Sequence, residues 1–171
     1  MSCSILNMPF QCNDGKSGIQ ISYWAAWEDI STYAVDASGT VTSITLAGSA
    51  KFKVLNLEKE DGKFTSSLGG VVTSRFFTQK TVFMYKKMST RARQFVSAAA
   101  ATNGVVFIHR DWNGNIIVSG LKNGAFLEGS EGTSGQKFGE LTGEQLTFTA
   151  NEPDKEYYMS STVFGTIPLE D

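Results

Sequence analysis

Charge is scarce in this sequence. Only 19% of its 171 residues are Asp, Glu, Lys or Arg, below the roughly 25% of an ordinary soluble domain. Proline occurs 3 times, histidine once, and the 2 cysteines, Cys3 and Cys12, lie close together near the start. Two thiols cannot make a disulfide framework, and their spacing is not CxxC. One histidine with two clustered cysteines cannot build a typical zinc site, so the thiols read as small and semi-buried. No window approaches the ~18 consecutive apolar residues of a membrane-spanning helix. The opening Met1-Ser2-Cys3-Ser4-Ile5-Leu6 has neither the basic start nor the apolar stretch of a secretion signal, so a chain made and kept in a cytoplasm is expected. The formal net charge of -2 excludes a strongly basic nucleic-acid binder on global grounds.

What is present points to β-structure. Hydrophobic residues make up 41% and aromatics 12%, with 12 Phe and 17 Gly, and Ser and Thr recur throughout. That supplies a core, excludes disorder, and favours strands over helices. The length suits one domain.

Charge is also segregated along the chain. Residues 1–61 hold seven acids and four bases. From Gly62 to Arg110 there is no acid, and Lys63, Arg75, Lys80, Lys86, Lys87, Arg91, Arg93 and Arg110 give +8. Residues 111–171 hold ten acids and three bases, for -7. Three readings stand together. The blocks interleave and the charges mix in the fold; a basic patch meets nucleic acid; or a basic face on one copy meets an acidic face on the next.

Strand candidates are Gly18–Trp27, Val41–Leu46 after a turn at Asp36–Gly39, and Lys51–Glu60, where Lys53, Leu55, Leu57 and Lys59 fall on one face and Phe52, Val54, Asn56 and Glu58 on the other. Asp61-Gly62 reads as a tight hairpin turn into Lys63–Ser66. Val71–Lys87 is a long extended run with apolar residues on both faces, one covered inside the domain and the other by a neighbour or a local helix. One helix is predicted over Ser89–Thr102, with Ser89 as N-cap and Met88, Ala92, Phe95, Val96 and Ala99 as its apolar stripe. Arg91 and Arg93 fall off that stripe. Val105–Trp112 and Ile116–Ser119 form a hairpin closed by Asn113-Gly114. Gly129–Gly135 reads as a flexible loop, Glu144–Thr149 and Tyr157–Phe164 as strands, and Pro168–Asp171 as a loose tail. About nine strands and one helix make a mainly β domain, a sandwich or partly closed barrel with one flanking helix. A single domain spans 1–171, with an N-terminal arm at 1–16 and a C-terminal tail at 165–171.

Catalytic chemistry is hard to find. His109 shares a strand face with Asp111, so a His–Asp pair is allowed, but the hairpin sets Val118 opposite it and no nucleophile lies near in sequence. A surface or half-buried histidine is expected. Glu58 and Glu60 share a face but flank a turn and read as solvated. The acids from Glu128 to Glu144 are not spaced as an EF-hand. The Gly69-Gly70 and Gly129–Gly139 glycines do not match a phosphate-binding loop. No cofactor or metal is expected, and no enzyme. Trp24, Trp27 and Trp112 could form a stacking platform for carbohydrate, with core and hairpin-tip packing as the plainer role.

Several stretches in order resemble a known family: NDGKSGIQISYWAAWEDI, VDASGTVTSITL, KFKVLNLEKEDGKFTSSL, the strand–helix unit VFMYKKMSTRARQFVSAAAATNGVVFIHRDWNGNIIVSG, and GTSGQKFGELTGEQLTFTANEPDKEYYM. Together they look like the tail tube proteins of tailed bacteriophages and the related inner tubes of contractile injection machines. The likeness covers nearly the whole chain as an order of elements, not as a diagnostic motif. It implies a β subunit with one flanking helix, closing into rings of typically six that stack into a channel for genome delivery. Implied partners are further copies of the chain, other tail proteins (tape measure, terminator, possibly sheath) and viral DNA passing without specific binding; no membrane is involved. The implied location is the virion tail, after synthesis in the host cytoplasm. Candidate interface residues are Glu60, Asp61 and Lys63, as an inter-ring loop, and Arg91 and Arg93, as ion-pair donors; Ser2–Asn13 is a candidate arm. Part of the acidic C-terminal block is expected to face the lumen. Other small virion proteins, such as a capsid decoration, tail terminator or connector ring, share the same features.

Overall fold

The computed structural model describes residues 16–137, 139–140 and 142–170. The Ser2–Asn13 arm and both cysteines lie outside the described residues. Within them the strands are β1 (Ile19–Ala26), β2 (Ile30–Val35), β3 (Thr40–Leu46), β4 (Lys53–Asn56), β5 (Gly62–Val71), β6 (Ser74–Lys86), β7 (Val105–Asp111), β8 (Ile116–Ser119), β9 (Phe126–Thr133), β10 (Gly143–Glu152) and β11 (Tyr157–Met159). The helices are α1 (Thr90–Ala101) and the short α2 (Ser161–Phe164), and a 3-10 turn spans Trp27–Asp29. The chain is mainly β, in two sheets that do not close into a barrel. A seven-stranded sheet has the order β2-β3-β11-β8-β7-β1-β4, and a four-stranded sheet the order β5-β6-β10-β9.

Each sheet is built from the expected alternation. On β10, Leu146, Phe148 and Ala150 are buried while the residues between them are more open. The central strand β7 is buried at every position from Val105 to His109, because both of its faces are covered. Two cores result. One lies between the sheets, where Phe83, Phe107 and Phe148 meet edge-on with ring centroids 5.0 to 6.3 Å apart. The other lies on the far side of the seven-stranded sheet, around Val41, Phe52, Ile108, Val118, Met159 and Ile167.

The helix forms as the sequence predicts. Ser89 accepts a hydrogen bond from the Ala92 amide at 3.1 Å, Ala92 and Ala99 are buried, and Phe95 packs on Trp24 and Tyr85. Arg91 and Arg93 are exposed. Tyr85 belongs to the inner face of β6, so α1 does not cover the outer face of that strand.

Several expectations are corrected. Asp61-Gly62 is not a hairpin turn, since β4 pairs with β1 and β5 with β6. The chain instead crosses between the sheets here, with Glu60 at φ 74°. Gly62 is needed for a close approach: a Cβ on it would stand 2.7 Å from Leu57 and 3.1 Å from Ile19. The true hairpin lies ten residues on, at Val72-Thr73, between the partners Val71 and Ser74. The Asn113-Gly114 hairpin sets Ile117, not Val118, opposite His109. Asp111 accepts the backbone N–H groups of Asn113 and Asn115 at 2.9 and 2.8 Å, and Gly114 takes φ 85°, which lengthens the loop by one residue and shifts the register. Gly129–Thr133, read as loop, belongs to β9, held by pairing to β10. The segment after Met159 is helical from Ser161, where Ser160 accepts from the Val163 amide. The strand β2 has no counterpart in the sequence reading.

The tail is not loose either. The Phe52 amide donates to the Pro168 carbonyl at 2.9 Å, and the Glu170 amide donates to the Phe52 carbonyl at 2.8 Å. Ile167 is buried in the second core. Ile167→Ala is therefore expected to lower stability in urea unfolding by about 2–4 kcal/mol. A loss within the roughly 0.5 kcal/mol of surface substitutions would mean that the tail is not part of the core.

Candidate functional site

The four-stranded sheet has two open edges and one projecting end. Its strands alternate in direction throughout, and its outermost strands, β5 and β9, each pair on one side only. Both edges thus offer unpaired backbone groups, which in a monomer invite association. The inner face, with Gln79, Thr81, Phe83, Leu146 and Phe148, packs on the seven-stranded sheet. The outer face carries Thr65, Ser67, Thr78, Gln145, Thr147, Thr149 and Asn151 in register, with Val82 and Met84 of β6 among them. Its cations are largely engaged. Lys80 lies 3.4 Å from Glu128, and Lys86 lies 2.7 Å from Glu58 and 3.0 Å from Asp61.

One end of this sheet projects. β6 pairs with β10 only as far as Phe77, whereas its pairing with β5 continues to Ser74. The tip exposes Leu68, Val71, Val72 and Phe76, with Val72 82% accessible. The Phe76 ring lies over Gly69, and a Cβ there would stand 3.0 Å from it, a tight contact. These four side chains make an exposed apolar patch at the hairpin tip.

The candidate interface residues do not form one cluster. Glu60 and Asp61 sit at the crossing between the sheets, Asp61 largely buried against Lys86, so Asp61 is a structural partner and not a free loop charge. Lys63 is exposed at the start of the β5 edge. Arg91 and Arg93 are exposed on α1, with no carboxylate in ion-pair range among the described residues. The three tryptophans do not make a platform. Trp24 packs edge-on to Phe95, Trp27 donates to the Leu121 carbonyl at 3.3 Å, and Trp112 lies beside Gly18 at the hairpin. Among the described residues no group of three His, Cys, Asp or Glu is placed to hold a metal ion. No helix there is long and apolar enough to cross a membrane.

His109 does not pair with Asp111 and is not at the surface. It is wholly buried between the sheets. Its Nδ1 lies 2.8 Å from the Ser22 hydroxyl, and its Nε2 lies 3.1 Å from Thr81 and 3.3 Å from Ser119. Ser22 and Ser119 belong to the seven-stranded sheet and Thr81 to the four-stranded one. Hydroxyls can donate or accept, so either neutral tautomer is satisfied. The ring stacks on Phe107 at 5.4 Å, and burial pushes its pKa down to about 3. Two further buried polar residues tie the four-stranded sheet to the turn after β8. Gln79 accepts from the Gly120 amide at 3.2 Å, and Glu152 accepts from the Lys122 and Asn123 amides. The sequence signal for His109 was its place in a strand with Phe107 on the same face.

No protein-family model matches the chain, and no similar curated protein or solved structure is found.

The buried imidazole makes a prediction for acid stability. The unfolded imidazole takes up a proton near its ordinary 6.5, and the folded one only near 3. Between those values the unfolded chain binds the extra proton, so stability falls as pH drops, by up to about 1.4 kcal/mol per pH unit. In His109→Gln this component of the acid limb should vanish, with lower stability at pH 7. Denaturant titrations of both proteins from pH 7 to 4 read the difference, and parallel acid limbs would place the histidine in contact with solvent.

Proposed function

We propose that this protein is a tube subunit of a bacteriophage tail, assembling with itself into stacked rings around a channel for DNA. The observation that carries the reading is the open four-stranded sheet. Because its strands alternate and are even in number, β9 of one copy and β5 of the next run antiparallel when copies are arranged around a closed ring. The sheet then continues from copy to copy, and both edges of the four-stranded sheet find a partner. The likeness to tail tube subunits puts six copies in such a ring.

Charge favours the same joint. The β5–β6 hairpin carries Lys63, Arg75, Lys80 and Lys86 and no acid, whereas β9 and β10 carry Glu128, Glu131, Glu144 and Glu152 and no base. Lys63 and Glu131 share the outer face and lie two residues apart in register across the sheet. The outer face, rich in hydroxyls and amides, suits a lumen through which DNA slides, since its paired lysines offer few free cations to hold phosphates. The projecting Val72-Thr73 hairpin takes over the inter-ring contact that the sequence suggested for Glu60–Lys63. The other tail proteins, tape measure and terminator among them, would meet the ends of such a tube.

Negative-stain electron microscopy of the purified protein across a concentration series tests the reading. Long tubes with an axial repeat are the expected result. Isolated rings would favour a terminator or connector, and a persistent monomer would overturn self-assembly. The sheet joint has its own test in charge reversal. Lys63→Glu and Glu131→Lys should each suppress assembly while leaving the monomer folded, and both together in one chain should restore it. Assembly indifferent to either reversal would remove the β5–β9 joint.

A further inference from the structure

A cavity of about 640 Å³ opens between the Asp36–Gly39 turn and the segment around Tyr157 and Tyr158. Most polar groups on its wall already have partners. Lys122 Nζ lies 2.5 Å from Asp154 Oδ2, and the Tyr157 hydroxyl donates to the same oxygen at 2.8 Å. Asp36 accepts the backbone N–H groups of Ser38 and Thr40 at 2.9 and 2.8 Å. Glu156 is the exception. Its side chain is 7% exposed, Oε1 has only the Lys155 ammonium at 3.4 Å, and Oε2 is buried without any hydrogen-bond partner among the described residues. A buried carboxylate oxygen without a donor is costly to maintain.

We propose that this cavity is a binding site for a guanidinium group, with Glu156 as its anion and the exposed rings of Tyr33 and Tyr158 as the faces it lies against. A guanidinium presents two parallel N–H donors, so it supplies the missing donor at Oε2 and replaces the long contact at Oε1. Little has to move. Lys155 is 65% exposed and free to swing aside, and the last torsion of a glutamate is soft enough to turn the carboxylate toward the cavity. The planar cation stacks on a tyrosine face more readily than a compact ammonium does. The wall carries Asp36, Asp154 and Glu156 against Lys122 and Lys155, an excess of one negative charge. A neutral polyol would leave that charge uncompensated, and an anion would be repelled.

The group has two possible sources, and this inference does not depend on the tube reading. One is a second copy of the chain, since none of Arg75, Arg91, Arg93 and Arg110 has an acidic partner among the described residues. The other is a free guanidinium compound or the arginine of a different protein.

Titration of the isotope-labelled protein with methylguanidinium, followed by amide NMR, reads the site directly. Saturable shifts confined to residues 33–39 and 154–158 are expected, with affinity weakened about tenfold in Glu156→Gln. Tyr158→Ala, at an exposed position, should also weaken binding and serves if the glutamate variant fails to fold. Equal binding of butylammonium, binding of glucose alone, or no saturable shift would each overturn the proposal. Sedimentation velocity separates the sources once binding is seen. Self-association that is lost in both Glu156→Gln and Arg91→Ala/Arg93→Ala, and is competed by methylguanidinium, assigns the group to a second copy. Self-association indifferent to methylguanidinium assigns it to another molecule.

Discussion

An uncharged histidine holds the two sheets together. His109 projects from the seven-stranded sheet into a layer where Phe64, Phe83 and Phe107 surround it, and takes hydroxyl partners from both sheets. Apolar contacts across a sandwich tolerate sliding, because one methyl group replaces another at little cost. A three-hydroxyl cluster does not, since a shift of one residue leaves buried polar groups unpaired at about 1–3 kcal/mol each. Gln79 and Glu152 add two more such links at the turn after β8. The packing of the four-stranded sheet on its partner is thereby fixed in register as well as in distance.

That constraint decides what the outer face is free to be. With Gln79, Thr81, Phe83, Leu146 and Phe148 committed inward, alternation leaves Thr78, Thr147, Thr149, Gln145 and Asn151 outward, together with Val82 and Met84. The helix cannot change this, because Phe95 reaches Tyr85 from the inner side. The result is a sheet anchored on one face, mostly polar on the other, and open at both edges. The second core, closed by the tail against Phe52, lies behind the seven-stranded sheet and leaves those edges untouched.

The legible parts of the fold were those decided locally. Ser89 and the Ala92–Phe95–Ala99 stripe specified the helix, and most strands announced themselves by alternation. The failures came where distant contacts overrule local signals. Gly62 looked like a turn glycine, but its lack of a side chain serves close packing on Ile19 across the sheets. Gly129 and Gly132 looked like loop residues, but β10 draws them into a strand. Asn113-Gly114 was a turn as expected, yet the Asp111 side chain lengthened it and moved the register by one. Of the candidate site, Lys63 at a sheet edge and the exposed arginines of α1 were readable, whereas the role of Asp61 as a buried partner of Lys86 was not. The open edges themselves cannot be seen in a sequence, because they depend on which strands fail to find partners.

What the open edges can do is a question of energy. A single new strand pair adds a row of backbone hydrogen bonds worth about 1 kcal/mol each net, and association costs at least several kcal/mol in lost freedom. One edge-to-edge contact between two copies is therefore marginal, and Lys63 and the β9 glutamates weaken any pairing of like edges further. Closure of a ring changes the balance, because the last copy forms two joints for one loss of freedom. In the proposed tube each ring would present a circle of apolar hairpin tips, so that Leu68, Val71, Val72 and Phe76 would act together where singly they would hold little. In such a tube, charges that disfavour pairing of like edges would leave ring closure as the step that makes assembly cooperative, and the protein would pass from dispersed subunits to closed rings with few intermediates.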